Sequence, residues 1–227
     1  ADSYILMLDG EELIGAKHNR VLNTSVLLMD HGSCVLPVSC TEIGRWSYRS
    51  EAFDYSDEMM ARKTRSRKMR DVSQSLAHGK GHRSDQGAVW EEIDELNQRA
   101  GTKSSTGAMR DAYTHHSRTL DEYLSAFEPE AGQQGSLVFI NGQLEGLDLL
   151  SLTEAYQTIH PQLIRSYAIE AMLEHSSGAC DFDIEQASDL LHKLHSCDTS
   201  QFDSVSLGTD VRLKNVELVG AALIYEE

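Results

Sequence analysis

Strand-like segments lie at both ends of this chain and enclose a long helical middle, and this order limits the fold more than any other feature. Apolar and β-branched runs separated by turn signals fill residues 1–48, whereas residues 56–127 carry a helical pattern rich in charge. These helices have few bulky apolar residues, so we expect them to cover a sheet rather than build a separate core. The sequence therefore predicts an α+β fold: a twisted, mainly antiparallel sheet with a large helical insertion and helices covering the sheet.

The Asn141-Gly142 pair is the strongest local signal, because a two-residue hairpin turn needs positive φ at both positions. Asp57 and Asp85 are predicted N-caps, the first for a helix running to His78 and the second for a helix over Ala88–Ala100. The other predicted helices are Ser117–Phe127, Leu152–Ile159, Pro161–His175 and Asp183–His195, and the other predicted strands are Tyr4–Leu8, Arg20–Met29, Cys34–Val38, Val211–Leu213 and Leu218–Tyr225.

No repeat or Pro/Gly-rich linker divides the chain, which predicts a single domain over residues 1–227. Its parts are a β-rich segment 1–48, a helical insertion 56–127, a β-hairpin 136–149, helices within 152–195 and terminal strands within 211–225.

The composition excludes several classes of protein. A formal net charge of −16 argues against a general nucleic-acid or anionic-membrane binder, because the average field repels phosphates. The longest apolar run, Tyr4–Leu8, is far shorter than a membrane helix, so we expect no membrane association.

Four cysteines without a CxxC or CxxH spacing predict neither a zinc site nor a disulfide scaffold and favour a cytoplasmic location. The start at Ala1 suggests that natural sequence precedes it.

Polar side chains are concentrated between the first apolar strands. The candidate ligand-binding residues in this stretch are Asp9, Glu11, Lys17, Asn19 and Arg20, and Glu12 is a candidate catalytic base. Convergent polar groups between strands are typical of a ligand pocket, but a solvated hairpin with surface ion pairs is an equal alternative. A nucleotide P-loop is rejected, because Lys17 does not directly follow Gly15 and no Ser or Thr follows the lysine.

A second polar group follows the third predicted strand. Cys40 and Glu42 are candidate catalytic residues, and Arg45 and Trp46 are candidate ligand contacts that offer a guanidinium and a stacking face. The Cys-to-Arg spacing is one residue too short for a phosphatase loop, and a neighbouring glutamate disfavours a thiolate. Cys40 as a small buried residue is therefore the competing interpretation.

The third group opens a predicted helix. Asp85 is first a helix cap, while Gln86 and Trp90 share one helix face and are candidate ligand contacts, with Trp90 as a packing anchor the alternative. Hard cations prefer oxygen ligands, so a divalent cation held by Asp9, Glu11, Glu12 or Glu42 stays open, but no spacing defines a metal site or cofactor.

Five segments together resemble a known family: LDGEELIGAKHNRVLNTS, PVSCTEIGRW, DQGAVWEEI, GLDLL and LIRSYAIEAM. They are similar to the ARPP-1 family, named for its association with ARG (ADP-ribosylglycohydrolase-type) and rhodanese-phosphatase-superfamily proteins. The resemblance runs through nearly the whole chain. It implies a prokaryotic protein linked to conflict systems and nucleotide-derived signals, and it supplies no reaction. The segments contain the same candidate positions that the residue types indicate.

Two hypotheses follow. In the first, a pocket holds an anionic, nucleotide-derived molecule such as an ADP-ribose-like species: Arg45, Lys17 and Arg20 bind its anionic groups, an indole stacks, and Glu12 or Glu42 acts as base or metal ligand. In the second, the chain is a non-catalytic module whose polar groups are structural and whose acidic surface recognises a partner protein or a second copy.

Overall fold

The computed structural model describes residues 4–45, 48, 50–174 and 184–226. Strands and helices are numbered here in chain order. The strands are β1 Tyr4–Met7, β2 Glu11–Gly15, β3 Arg20–Leu22, β4 Val26–Met29, β5 Val38–Cys40, β6 Phe53–Met59, β7 Gly135–Ile140, β8 Gln143–Leu149, β9 Asp198–Asp203, β10 Thr209–Lys214 and β11 Val219–Ile224. The helices are α1 Arg62–Ala77, α2 Gln86–Arg99, α3 Met109–His115, α4 Ser117–Ala126, α5 Thr153–Leu173 and α6 Ile184–His195.

The central sheet has four antiparallel strands in the order β5-β3-β2-β6. Its last strand, β6, corrects the prediction that the helical segment begins at residue 56 with Asp57 as a cap. Ser56 and Glu58 are buried while Tyr55 and Asp57 are exposed, an alternation that belongs to a strand. The first helix starts only at Arg62, after Ala61. The strand was missed because its inward side chains are polar.

Three smaller sheets surround this one within the described residues: β1-β4, β7-β8 and β11-β10-β9, all antiparallel. The predicted hairpin is confirmed, with φ of 52° at Asn141 and 76° at Gly142. The run predicted as one strand over Arg20–Met29 is two strands, because the chain leaves the sheet at Asn23 and buries the side chains of that residue and of Thr24. The strand predicted at Cys34–Val38 lies at Val38–Cys40 instead, and β9 was not predicted.

Helices α2 and α5 contact strands β5 and β6 of the central sheet, in line with the expected helical cover. Asp85 caps α2 by accepting hydrogen bonds from Gly87 N and Ala88 N. Two helices were predicted around Pro161, but α5 is continuous through it. The proline leaves the carbonyl of Gln157 without its helical donor, and Gln157 lies on the exposed face, where water can replace that donor.

The main core joins this sheet to four of the helices. Val21 from β3 packs with residues of α2, α3, α4 and α5 that include Val89, Ile93, Met109, Tyr113, Leu120 and Ile169, all at most 2% exposed. A smaller cluster places Met59 of β6 against Tyr156 and Leu163 of α5. The end of β5 is fixed against the first turns of α2 and α3, because Gln86 binds the Cys40 main chain and Met109 N donates to Thr41 O.

Candidate functional site

Arg45 is the centre of one group of the predicted site residues. Its Nε donates to Glu42 Oε2 at 2.8 Å, its Nη1 to Ala16 O at 3.0 Å, and its Nη2 to Asn19 Oδ1 at 3.0 Å. Asn19 Oδ1 also accepts from Gly15 N at 3.3 Å. The guanidinium therefore fastens the turn between β2 and β3 to the loop after β5, so most of its donors are used inside the protein.

Cys40 lies in a second group, on an edge of the central sheet. The guanidinium of Arg20, its partner in the β3-β5 pairing, donates to the Cys40 sulfur. Gln86 binds the main chain of Cys40 on the other side, accepting from its N at 2.7 Å and donating to its O at 3.0 Å. The first and second predicted polar groups are thus in direct contact, and Gln86 joins them.

Glu12 lies in the interior, 1% exposed. Its two carboxyl oxygens accept hydrogen bonds from Thr41 Oγ1 and Ser56 Oγ, both at 3.0 Å. Burial raises the pKa of Glu12 to about 7, against the lowering effect of the Arg110 charge and of the two hydroxyls, while the charge of Glu58 adds to the increase. Near neutral pH this carboxyl therefore exists in both protonation states, as an acid-base group requires.

Glu58, Arg110 and Arg165 were not predicted from the sequence. Glu58 is 7% exposed, and burial raises its pKa although Arg165 and Arg110 lower it. Its Oε1 accepts from Arg165 Nη1 at 3.3 Å, while its Oε2 and the Arg165 Nε have no hydrogen-bond partner among the described residues. The only sequence signal was the strand alternation of β6, which places Glu58 on the inward face with Ser56.

Arg110 lies in the first turn of α3, which is anchored to this region because Met109 N donates to Thr41 O at 2.9 Å. Its side chain is half-buried, and within the part of the chain that the structure describes it forms no hydrogen bond or ion pair. Its charge acts on both Glu12 and Glu58. Glu12, Glu58 and Arg110 are together called the Glu12 cluster below. Arg110 is the cation of this cluster and has no hydrogen-bonding partner among the described residues.

Glu11 and Asp9, at the start of β2 and just before it, are also buried. Glu11 Oε1 accepts from Leu8 N at 2.6 Å, and burial raises the pKa of Glu11 to about 7 despite that hydrogen bond. Asp9 pairs with the fully buried Lys68 of α1, whose Nζ also donates to Leu22 O at 2.7 Å. Burial lowers the pKa of Lys68, and Asp9 opposes that effect.

A further buried network, not foreseen from the sequence, connects the N-terminal strands with β10. Asp210 Oδ2 accepts from Thr24 Oγ1 at 2.9 Å and lies 2.9 Å from His82 Nε2, while Arg212 contacts both carboxyl oxygens at 2.6 Å. These hydrogen bonds and the Arg212 charge outweigh burial and lower the pKa of Asp210. This arrangement satisfies a buried carboxylate and has the character of a structural network.

The other predicted residues that the structure describes lie outside these groups. Lys17 is exposed, with its ammonium 5.1 Å from the centre of the Tyr48 ring. Asp85 is occupied as a helix cap. Trp90 is half-buried, and its Nε1 is buried with no partner among the described residues. Trp46 lies outside the described residues.

Two surface clefts lie elsewhere. One has a volume of about 560 Å³ and is lined by residues 101–103, 105, 111, 114 and 115, and the other, of about 520 Å³, is lined by residues of β9, β10 and the C-terminal segment. None of the predicted site residues lines either cleft. In the described ranges no group of three or more His, Cys, Asp or Glu side chains is arranged to hold a metal ion.

None of the helices in the described part combines the length and apolar character that crossing a membrane requires.

Comparison with known proteins identifies the family. The chain matches no curated protein and no solved structure. It does match one family model, described as the ARG and Rhodanese-Phosphatase-superfamily-associated Protein domain, over residues 1–227. This confirms the resemblance seen in the sequence motifs. Because the match spans the whole chain, the protein belongs to the ARPP-1 family.

Proposed function

We propose that this protein binds a small anionic, nucleotide-derived ligand of the ADP-ribose type at the Glu12 cluster, and that Glu12 supplies acid-base catalysis for its hydrolysis. The observation that carries the proposal is the raised pKa of Glu12, about 7, in a carboxyl that two hydroxyl groups hold in place. A positioned carboxyl with such a pKa can exchange a proton at neutral pH, whereas an exposed glutamate is fully ionised.

Arg110 supports the anionic character of the ligand. It is half-buried beside Glu12 and Glu58 and, among the described residues, has no hydrogen-bonding partner. A guanidinium whose donors are free can bind a phosphate or carboxylate through two parallel hydrogen bonds. The family association with ARG proteins favours an ADP-ribose-like ligand by analogy only.

Thermal shift and turnover measurements test this proposal, with ADP-ribose, NAD and AMP as probes and with and without Mg²⁺. We expect ADP-ribose to raise the melting temperature of the wild-type protein, and Arg110→Gln to reduce that shift. Glu12→Gln should retain binding and lose turnover, because the amide keeps hydrogen-bonding capacity but cannot exchange the proton. Arg118→Gln and Glu122→Gln, a pair of exposed residues on α4, are the matched controls.

The proposal would be wrong if no probe stabilises the wild type, or if Arg110→Gln and Arg118→Gln respond alike. Arg45 is a poor test residue for this purpose. Its guanidinium holds the β2-β3 turn, so its removal would change stability and ligand binding together.

A non-catalytic interaction module is the second candidate, and one observation favours it. Arg45, Gln86 and Asp85 are paired within the protein, and the predicted site residues line neither described cleft. Such a module would recognise a partner protein, or a second copy, through its acidic surface. Partner binding that weakens with salt and is unchanged by Glu12→Gln would favour this candidate.

We also propose a cytoplasmic location. Cys34, Cys40 and Cys197 are free thiols, as is usual in a reducing compartment.

A further inference from the structure

A cleft between α3 and the loop before it contains a lysine, a histidine and hydroxyl groups, and shares no residue with the Glu12 cluster. Its volume is about 560 Å³, within the usual range for sites that bind small molecules. It is lined by Gly101, Thr102, Lys103, Ser105, Asp111, Thr114 and His115. The first four belong to the loop between α2 and α3, and the last three lie on one face of α3.

The lining offers hydrogen-bond donors that have few partners within the protein. Lys103 is exposed and, in the part of the chain described by the structure, its ammonium forms no hydrogen bond or ion pair. The ring of His115 lies edge-on to that of His116, at a centroid distance of 4.8 Å, and forms no hydrogen bond among the described residues. Thr102 Oγ1 also has no partner among the described residues, but this atom is buried rather than exposed in the cleft. The one acid, Asp111, already accepts a hydrogen bond from Ser104 Oγ at 2.6 Å.

The charge of this region differs from that of the whole protein. The residues that line the cleft contain one cation, Lys103, and one acid, Asp111, so the lining has no net formal charge. The complete chain carries −16. A neutral cleft on an acidic protein repels small anions less than the surrounding surface does, while the charge of the whole chain still repels large polyanions such as nucleic acid. A divalent cation would find a single carboxylate here, which is too few oxygen ligands.

The loop is held in place by the main chain and by side chains. Ile43 N and Gly44 N donate to Thr106 O at 3.1 and 2.8 Å, and Thr102 N donates to Asn97 O at 2.9 Å. Ser104 Oγ accepts from Ala108 N at 2.9 Å. Lys103 therefore projects from an anchored loop, which reduces the ordering cost of binding.

We infer that this cleft binds the phosphate group of a phosphate monoester such as a mononucleotide. The tetrahedral dianion offers several acceptor oxygens, which suit an ammonium, an imidazole and hydroxyl groups. The cleft is larger than a phosphate group, so it leaves room for the organic part of the ester. This inference goes beyond the proposed function, because it involves neither Glu12 nor Arg110.

Nuclear magnetic resonance titration of the amide groups tests the site with three probes: AMP, inorganic phosphate and adenosine. AMP and phosphate should shift the amide signals of residues 101–115 in a saturable way, and adenosine should not. Lys103→Gln should weaken AMP binding about tenfold, because it removes one charge-assisted hydrogen bond. Lys80→Gln, an exposed lysine on another loop, is the matched control and should change nothing.

Tighter binding of AMP than of phosphate would support a nucleotide ligand, and equal binding would support the phosphate group as the whole of the recognised chemistry. The inference is overturned if the signals do not saturate, if adenosine binds as well as AMP, or if Lys103→Gln behaves like the control. The Glu12 titration near pH 7 serves as an independent readout. It should be unchanged in Lys103→Gln, so a failure at this cleft is distinguishable from a failure of the proposed function.

Discussion

The side-chain amide of Gln86 binds the main chain of Cys40 through two hydrogen bonds, one in each direction. Cys40 ends β5, the outer strand of the central sheet within the described residues, and its N and O would otherwise form part of an unpaired edge. The amide takes the place of a neighbouring strand and links the start of α2 to the sheet. Gln86, which the sequence indicated as a candidate ligand contact, therefore binds the edge of the sheet within the protein itself.

Replacing Gln86 with alanine should therefore destabilise the protein. Two main-chain groups of a part-buried strand lose their partners, which should cost about 1–3 kcal/mol in the free energy of unfolding. Urea denaturation measures this loss. Gln98→Ala is the matched control on the same helix, because its amide bonds only to the exposed Asp94, and equal effects of the two substitutions would contradict the assignment.

Arg45→Gln should lower the free energy of unfolding more than Gln86→Ala does. The substitution leaves Glu42, whose side chain is 6% exposed, without its cation and removes the donors to Ala16 O and Asn19 Oδ1. Breaking a buried ion pair from one side costs about 3–5 kcal/mol. A double-mutant cycle with Glu42→Gln checks the cause: the double variant should be less destabilised than the sum of the single variants, and simple additivity would rule out the coupling.

Stability should fall as the pH rises from about 4.5 to about 7. Burial raises the pKa of Glu11 and Glu12 from 4.5 to about 7, so in this window the folded state keeps protons that the unfolded state has released. The stabilisation is fully present below pH 4.5 and is lost by about pH 7, at roughly 3 kcal/mol for each carboxyl. Unfolding free energies measured from pH 4.5 to 8 test the slope.

Glu12→Gln should remove about half of the slope that these two glutamates produce, and the exposed control Glu122→Gln should leave it unchanged. A slope that is the same in Glu12→Gln and in the wild type would show that Glu12 does not titrate in this range.

Asp210→Asn should destabilise the protein at neutral pH by about 3–5 kcal/mol, because it leaves the buried Arg212 without its carboxylate. The pKa of Asp210 is lowered from 3.8, so its stabilisation is present above that pH and is lost as the pH falls through the lower folded value. The difference between wild type and Asp210→Asn should therefore shrink in acid. Asp198→Asn, an exposed acid on β9, is the control for both measurements.

Local features were predicted well because their physical cause lies within a few residues. The Asn141-Gly142 turn requires positive φ, which those residues tolerate. Asp85 accepts hydrogen bonds from the backbone amides of Gly87 and Ala88, two and three residues further along the chain. The polar segments around residues 9–20 and 40–45 also meet in the structure, through the contacts of Arg45 with Asn19 and of Arg20 with Cys40. The one-domain organisation and the site roles stay predictions.

The rest depends on distant parts of the chain that no local pattern connects. Glu58 can be identified as part of a charged cluster only in the folded chain, where α5 brings Arg165 and α3 brings Arg110 close to strand β6. The inward-facing acid also hid the strand itself, because a polar residue at a buried position breaks the apolar alternation that predicts strands. Likewise, nothing near Arg45 in the sequence shows that its donors would be used by the turn at Ala16.

The hydrogen bond between Thr24 and Asp210 joins residues 186 positions apart, and Leu27 bridges to Leu207 in the same region. During synthesis, therefore, the first strands emerge long before the segment that completes their buried polar contacts. Until that segment is present, the hydroxyl of Thr24 can form hydrogen bonds only with water or other groups, and Leu27 of β4 lacks its bridge to Leu207. The last fifth of this sequence thus decides when the first fifth reaches its final structure.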